Sequence, residues 1–172
     1  MLSRGGVVLR PITLEDTENI IKWRNSDSVR RNFIYQDLFT KESQEKWFHT
    51  MIETDKARQF IIYNKLSNNP IGTSYLRDID RVNRKAEYGI FIGTEDDRGK
   101  GLGAETAELM IAYGFEVMGL HKIFLRVFSD NIRAQKSYER AGFRQEAYLK
   151  EEVFVDGIFK DIILMAKIND ED

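Results

Sequence analysis

The stretch Arg98-Gly99-Lys100-Gly101-Leu102-Gly103 combines the residue types and spacing of an anion cradle. Glycines at alternate positions let the backbone approach a ligand closely. N–H groups at a helix start, with the helix dipole behind them, suit a pyrophosphate. Arg98 and Lys100 add charge-assisted contacts. The plain alternative is a solvated turn; the amphipathic helix pattern that follows favours the cradle. The phosphate loop of nucleoside triphosphatases does not fit. Gly93 and Gly99 are one residue too far apart, and Lys100 precedes Gly101 rather than Ser or Thr. Gly99, Gly101 and Ala104 match a dinucleotide fingerprint formally. However, an acidic segment separates Gly93 from Gly99, and no ribose-binding acid is clearly placed ~20 residues on.

Other chemistries are excluded by composition. There is no cysteine, hence no disulfide, thiolate nucleophile or cysteine zinc site. The two histidines, His49 and His121, are far apart, and no cluster of metal ligands stands out. No Gly-x-Ser-x-Gly elbow supports a serine nucleophile. Against 28 Asp and Glu stand 26 Lys and Arg, a net charge of −2 that argues against a dedicated nucleic-acid partner. No apolar run nears the ~18 residues of a membrane span. Met1 to Gly6 lacks the apolar stretch of a signal peptide, so a cytoplasmic protein without a membrane partner is expected.

The elements that position the cradle follow from periodicity. The 172 residues fit one domain, read as 1–172, without repeats. The acidic tail Asp170-Glu171-Asp172 reads as a frayed end. Val7 to Arg10 is a first strand, and Thr13 and Thr40 are helix N-caps. Trp47, Phe48, Met51 and Ile52 form a helical stripe. Strands Phe60–Tyr63, Ile71–Leu76 and Ala86–Gly93 make an antiparallel meander, with Ser67-Asn68-Asn69-Pro70 as a turn. A helix from Ala104 to Met118, a strand from Lys122 to Phe128 and a helix from about Asn131 to Ala141 follow. Strand, helix, strand in that order implies a right-handed parallel crossover. Asp156-Gly157 signals a closing type I′ hairpin. The fold class expected is mixed α/β: antiparallel strands, then one βαβ crossover, then a hairpin.

Two motifs together carry a family resemblance. Arg98-x-x-Gly101-x-Gly103 resembles the Gln/Arg-x-x-Gly-x-Gly/Ala signature of the GNAT superfamily of acetyl-CoA-dependent N-acetyltransferases. Asn131-x-x-Ala134-x-x-x-Tyr138-x-x-x-Gly142-Phe143 resembles that superfamily's second motif, in the right order and beyond the expected helix and strand. The likeness extends over nearly the whole chain. It looks closest to the branch with spermidine, ribosomal-protein N-terminal and nucleotide-linked amino-sugar acetyltransferases.

The resemblance implies a V-shaped opening where the parallel strands Ala86–Gly93 and Lys122–Phe128 splay apart. The pantetheine arm of acetyl-CoA would pair with the backbone around Ile90, Phe91 and Ile92. A backbone N–H there would polarise the thioester carbonyl, with Gly89 as a bulge. Arg98, Gly99, Lys100, Gly101, Leu102, Gly103 and Ala104 would hold the pyrophosphate, with Asn131 and Ala134 beside the pantetheine and adenosine end. Tyr138 is the expected general acid, because a phenol starts protonated where a thiolate departs. Its plain alternative is a core aromatic sharing a helix face with Ala134 and Ala141.

Glu87 is the candidate base; a solvated cross-strand charge is the alternative. No step calls for a metal. The acceptor side is expected between Trp23 and Trp47; Arg24, Arg30 and Arg31 outnumber the acids close to them, and the aromatic stretch from Asn32 to Thr40 holds a single carboxylate, Asp37. That charge places a primary amine on an anionic scaffold, such as a nucleotide-linked amino sugar, ahead of a polyamine or a ribosomal-protein N-terminus. A dinucleotide oxidoreductase and a silent acyl-CoA-binding regulator are the readings from other classes. Exposed strand edges leave a homodimer or higher homo-oligomer open.

Overall fold

In the computed structural model, which describes residues 1–170, eight strands form one mixed sheet. Glu171 and Asp172 of the acidic tail lie outside the described residues. Leu2–Arg4 (β1) and Val7–Pro11 (β2) form an antiparallel ribbon. Arg58–Asn64 (β3), Asn69–Asp80 (β4) and Lys85–Ile92 (β5) complete the meander. β4 continues beyond Leu76, where the expected strand ended, to Asp80. Arg77 lies directly opposite Glu87 on β5 and forms an ion pair with it, so these polar residues have a cross-strand partner.

Both expected N-caps are present. Asp16 accepts from Thr13 N at 2.7 Å, and a short 3₁₀ turn then leads into Thr17–Asn25 (α1). One helical turn, Asp27–Arg30, is α2. Thr40 and Ser43 cap each other's backbone at 3.1 and 2.9 Å at the start of Lys41–Trp47 (α3). The third long segment splits: Leu102–Ala112 (α4) is α-helical and Tyr113–Val117 forms a π turn. Lys122–Phe128 (β6) then runs parallel to β5, and Asn131 caps Ile132–Arg140 (α5). Arg144–Val155 (β7) and Ile158–Ile168 (β8) close the chain through Asp156-Gly157, whose φ of 52° and 79° suit a type I′ turn.

The strand order is β1-β2-β3-β4-β5-β6-β8-β7. One face packs under α4 and α5, where Met110, Ile123, Leu125 and Phe143 are almost fully buried. The other packs under α1 and α2 through Ile20, Trp23, Val29, Ile61 and Phe91. Each such large side chain contributes roughly 1.5–3 kcal/mol by leaving water. β5 and β6 pair only over Lys85–Glu87 and Lys122–Phe124. Beyond that they separate, and this opening positions the site.

Candidate active site

A cavity of about 1040 Å³ runs through the opening between β5 and β6. Tyr88, Ile90, Tyr138 and Gly101 line it on the α4/α5 side; Arg24, Phe33, Tyr75 and Glu87 line it on the other. Gly93 N donates to Ile71 O at 2.7 Å, which fixes the hydrogen-bonding phase of the antiparallel β4/β5 pair. The backbone groups of Gly89 and Phe91 therefore face β4, while those of Ile90 and Ile92 face the opening. Ile92 O accepts from Arg98 Nε at 2.9 Å. Of the expected strand residues, Ile90 is thus the one whose backbone faces the opening without a side-chain bond shown to it. Phe91 is a correction: its backbone turns to β4, and its ring packs edge-on against Phe33 at 5.7 Å on the opposite face.

Gly89 is a second correction. The β4/β5 register runs without a bulge from Gly72/Ile92 to Arg77/Glu87. Glycine stands there because Tyr75 lies over it: a Cβ would come within 2.2 Å of the Tyr75 ring.

The glycine loop meets α4 as a cradle. Gly101 has φ of 84° and open space where a side chain would stand. Ala104 N and Glu105 N at the start of α4 donate to Gly101 O at 3.0 and 3.1 Å, while the two N–H groups before them, of Leu102 and Gly103, precede the helix's own acceptors. Gly99, Gly101, Gly103 and Ala104 line the cavity, and so do Asn131 and Ala134. Asn131 Oδ1 is engaged by Ala134 N at 3.2 Å as the α5 cap. Three residues of the expected cradle behave differently. Arg98 turns back to Ile92 O and to Ser28 Oγ at 3.1 Å, so its guanidinium ties the loop to β5 and α2. Lys100 is exposed and lies off the cavity wall, and Leu102 is buried in the core. Sequence reasoning missed Arg133 and Lys136, which line the cavity from α5. Arg133 Nη2 comes within 3.3 Å of where a Gly99 side chain would begin. Their i, i+3 spacing just after the Asn131 cap was the available signal.

Tyr138 stands on α5 at the cavity wall, half-buried, its ring edge-on to Tyr88 at 6.2 Å and to Phe143 at 6.0 Å. Burial, reinforced by Tyr75, raises the pKa of its hydroxyl above the ordinary phenol value. The group stays protonated at neutral pH, the state a proton donor needs.

Glu87 does not have the environment of a base. Arg77 donates to Oε2 from Nε at 3.0 Å and Nη2 at 2.9 Å; Arg126 donates to Oε1 from Nε at 2.8 Å. Burial pushes the carboxyl pKa up, but the Arg126 hydrogen bond and the two guanidinium charges outweigh it and hold it low. A carboxylate so satisfied accepts a further proton poorly at neutral pH. Its role here is to bind β4, β5 and β6 together where the strands begin to part.

On the acceptor side, Arg24 is 2% exposed. One amino group donates to Tyr35 O, and its guanidinium stacks over Phe33 at 4.0 Å and Phe39 at 4.8 Å. Burial lowers its pKa to about 10, with Arg30 adding to the effect. Asn25 exchanges two bonds with Phe39, at 2.7 and 2.8 Å. The irregular segment 32–40 is thus strapped to α1. Arg30 departs from expectation: it pairs with Asp27 at 3.4 Å and lies off the cavity wall. Arg31 does line the cavity. His49 is exposed and bonds Glu53 at 2.9 Å, while His121 stands just before β6. Among the described residues, no group of His, Cys, Asp and Glu could hold a metal, and no helix is long and apolar enough to cross a membrane.

A splayed parallel pair, a glycine loop feeding a helix and a tyrosine at the opening define an acyl-CoA-dependent acetyltransferase site. The family model described as the acetyltransferase (GNAT) domain matches residues 7–144, and the chain belongs to that family. The spermidine N(1)-acetyltransferase of Escherichia coli K12 is 31% identical over 165 residues, covering 96% of this chain and 87% of that protein. The spermidine N-acetyltransferase of Vibrio cholerae, solved with CoA and spermine, superimposes with a TM-score of 0.88 at 27% identity, covering 96% of each chain. A dodecameric structure of the Vibrio cholerae enzyme matches with a TM-score of 0.80 at 26% identity, covering 96% of this chain and 95% of that one. The protein is an N-acetyltransferase, and acetyl-CoA is its co-substrate. The open cradle at Gly101 and the unpaired backbone of Ile90 fit that molecule. The dinucleotide oxidoreductase reading is set aside.

Proposed function

We propose that residues 1–172 act as a single acetyltransferase domain that moves an acetyl group to a primary amine by direct attack in a ternary complex. The observation that carries this reading is the cavity passing through the β5/β6 opening. One mouth is lined by the glycine loop and α5, the other by α1 and the strapped segment. Two substrates entering from opposite faces would meet at the opening, beside Tyr138.

Bound acetyl-CoA supplies an activated acyl thioester. Gly101, Gly103, Arg133 and Lys136 hold its phosphates. Ile90 N–H faces the position where negative charge develops on the thioester oxygen. Tyr138 donates its proton to the departing sulfur. Glu87 and Asp97 are the carboxylates among the described lining residues, and both are engaged: Glu87 by two arginines, Asp97 by Asn64 at 2.7 Å and Thr94 at 2.8 Å. The amine therefore sheds its proton to water, and turnover rises with pH until the amine is neutral.

The relatives favour a polyamine over an amino sugar as the acceptor. The similar enzymes of Escherichia coli and Vibrio cholerae act on spermidine by name. A specific observation keeps the amine on an anionic scaffold as the second reading: on the acceptor face the cavity is lined by Arg24, Arg31, Arg77 and Arg126 against the engaged Glu87. The dodecameric relative and the exposed Phe154 and Phe159 on the closing hairpin support a homo-oligomer. The test is thioester consumption with acetyl-CoA across spermidine, amino sugars and an alanine-terminated peptide. CoA release with none of them, in folded protein that binds acetyl-CoA, would leave the silent-regulator reading.

A further inference from the structure

The acceptor mouth contains a buried charge without a counter-ion. Nη1 of Arg24 is buried and has no hydrogen-bond partner, although the residue is 2% exposed and lines the cavity. Nη2 is engaged by Tyr35 O, and two aromatic faces cover the guanidinium plane. Ring faces and one carbonyl leave a desolvated cation short of both charge and acceptors.

Arg24, Tyr75, Arg77, Glu87 and Arg126 line the same cavity, with the Arg77 guanidinium 5.8 Å from the centre of the Tyr75 ring. The two β-strand arginines spend Nε and Nη2 on Glu87, so Nη1 of each stays outside those bonds. Against the three guanidiniums stand Glu87 and the exposed Asp78, 3.6 Å from Arg77, which leaves an excess of one positive charge at this mouth. Arg31 adds a further cation to the wall. A polycation entering here meets repulsion and finds no unengaged carboxylate. An oxyanion would meet unspent guanidinium donors, the group best matched to carboxylate and phosphate.

We propose that the acceptor carries its amine on a scaffold bearing a carboxylate or phosphate group, and that Arg24, with Arg77 and Arg126, receives that group around Tyr75. The proposal rests on the acetyl-transfer reading and deepens its second acceptor reading; of the sequence-based pair Arg24 and Arg30 it keeps Arg24 and drops Arg30. Arg24 is then a specificity-determining residue. The spermidine enzymes share the fold, but the charge at this mouth selects another acceptor.

The experiment has a kinetic arm and a binding arm. The kinetic arm compares kcat/KM for glucosamine, glucosamine 6-phosphate, β-alanine and spermidine in wild type, Arg24→Met and Arg24→Lys. Phosphate- and carboxylate-bearing amines distinguish the two sources of the oxyanion. At least about tenfold preference for an anionic amine is expected, carried in KM and lost in Arg24→Met, as for one charged hydrogen bond. Arg24→Lys should restore part of it.

The binding arm titrates inorganic phosphate into CoA-saturated protein, so that the glycine cradle is already filled. Phosphate should bind the wild type and bind Arg24→Met at least about tenfold more weakly. Should Arg24→Met fail to fold, the wild-type comparison and phosphate binding decide. Spermidine preferred over every anionic amine overturns the proposal while leaving acetyl transfer intact. Failure of every amine defeats the acetyl-transfer reading with these acceptors; phosphate binding then decides this proposal separately. Its absence in CoA-saturated wild type overturns it.

Discussion

Tyr138 and Glu87 show how the same sheet opening prepares two ionisable groups for different work. The tyrosine hydroxyl is kept neutral by burial, and the glutamate is kept charged by two guanidiniums. Tyr138→Phe keeps the ring and its contacts with Tyr88 and Phe143. Turnover should fall about 10²-fold, the lower end for general acid catalysis, with acetyl-CoA affinity retained. Unchanged turnover would make Tyr138 a packing residue. Glu87→Gln should leave the pH–rate profile in its original shape, because the carboxylate is not the base. Stability should fall by about 2 kcal/mol, below the range for a fully buried pair because both arginines are about one-third exposed. The depressed folded-state pKa sets the sign of the pH effect. The stabilisation is fully present above the unfolded value near 4.3 and is lost as pH falls through the lower folded value. Denaturant titrations of wild type and Glu87→Gln should differ by a constant amount above about pH 5.5 and converge in stronger acid.

At the scale of elements, the loop and the strap can be tested separately. Gly103 lacks the positive φ of Gly101, and a Cβ there would stand 3.5 Å from Ser137 Oγ, an ordinary contact. Gly103→Ala should therefore keep or slightly raise the melting temperature, since alanine favours the first turn of α4. CoA affinity should nonetheless drop about tenfold through the loss of close backbone approach, about the cost of one charged hydrogen bond. Calorimetry with CoA would refute the cradle if affinity stayed the same. On the other face, Asn25→Ala removes both bonds to Phe39. The 32–40 segment should loosen, raising the acceptor KM several-fold while the KM for acetyl-CoA moves little. Equal shifts in both would mean that the strap supports the whole site rather than one mouth.

For the whole molecule, the co-substrate should act as a stabiliser. Acetyl-CoA at 100 times its dissociation constant should add about 2.7 kcal/mol to the unfolding free energy, seen as a rise in melting temperature. NAD at the same concentration should add much less, because the adenosine diphosphate half alone makes no contact with the strand opening. An equal rise with NAD would reopen the dinucleotide reading.

Features encoded in short range were legible from the sequence. The Thr40 cap, the Asp156-Gly157 turn and the glycine loop each depend on residues within one turn or one φ angle. Strand alternation and helix periodicity gave β6 its observed bounds and α5 nearly so, and two motifs of fixed spacing pointed to the family. Side-chain pairing was not legible. Glu87 meets Arg126 across 39 residues, and Arg98 meets Ser28 across 70. A charge near an active-site motif reads as available until its partner is known. Arg24 looked like one of several equivalent arginines on a helix, yet folding buried it and left Arg30 beside Asp27 outside the cavity. The sequence by itself determined the elements and the glycine loop, because these rest on local backbone geometry, and the spacing of two motifs carried the likeness to a family and, with it, the co-substrate. Only the tertiary structure decided which carboxylate is already satisfied and which guanidinium is not, because desolvation and ion pairing depend on what the rest of the chain brings alongside.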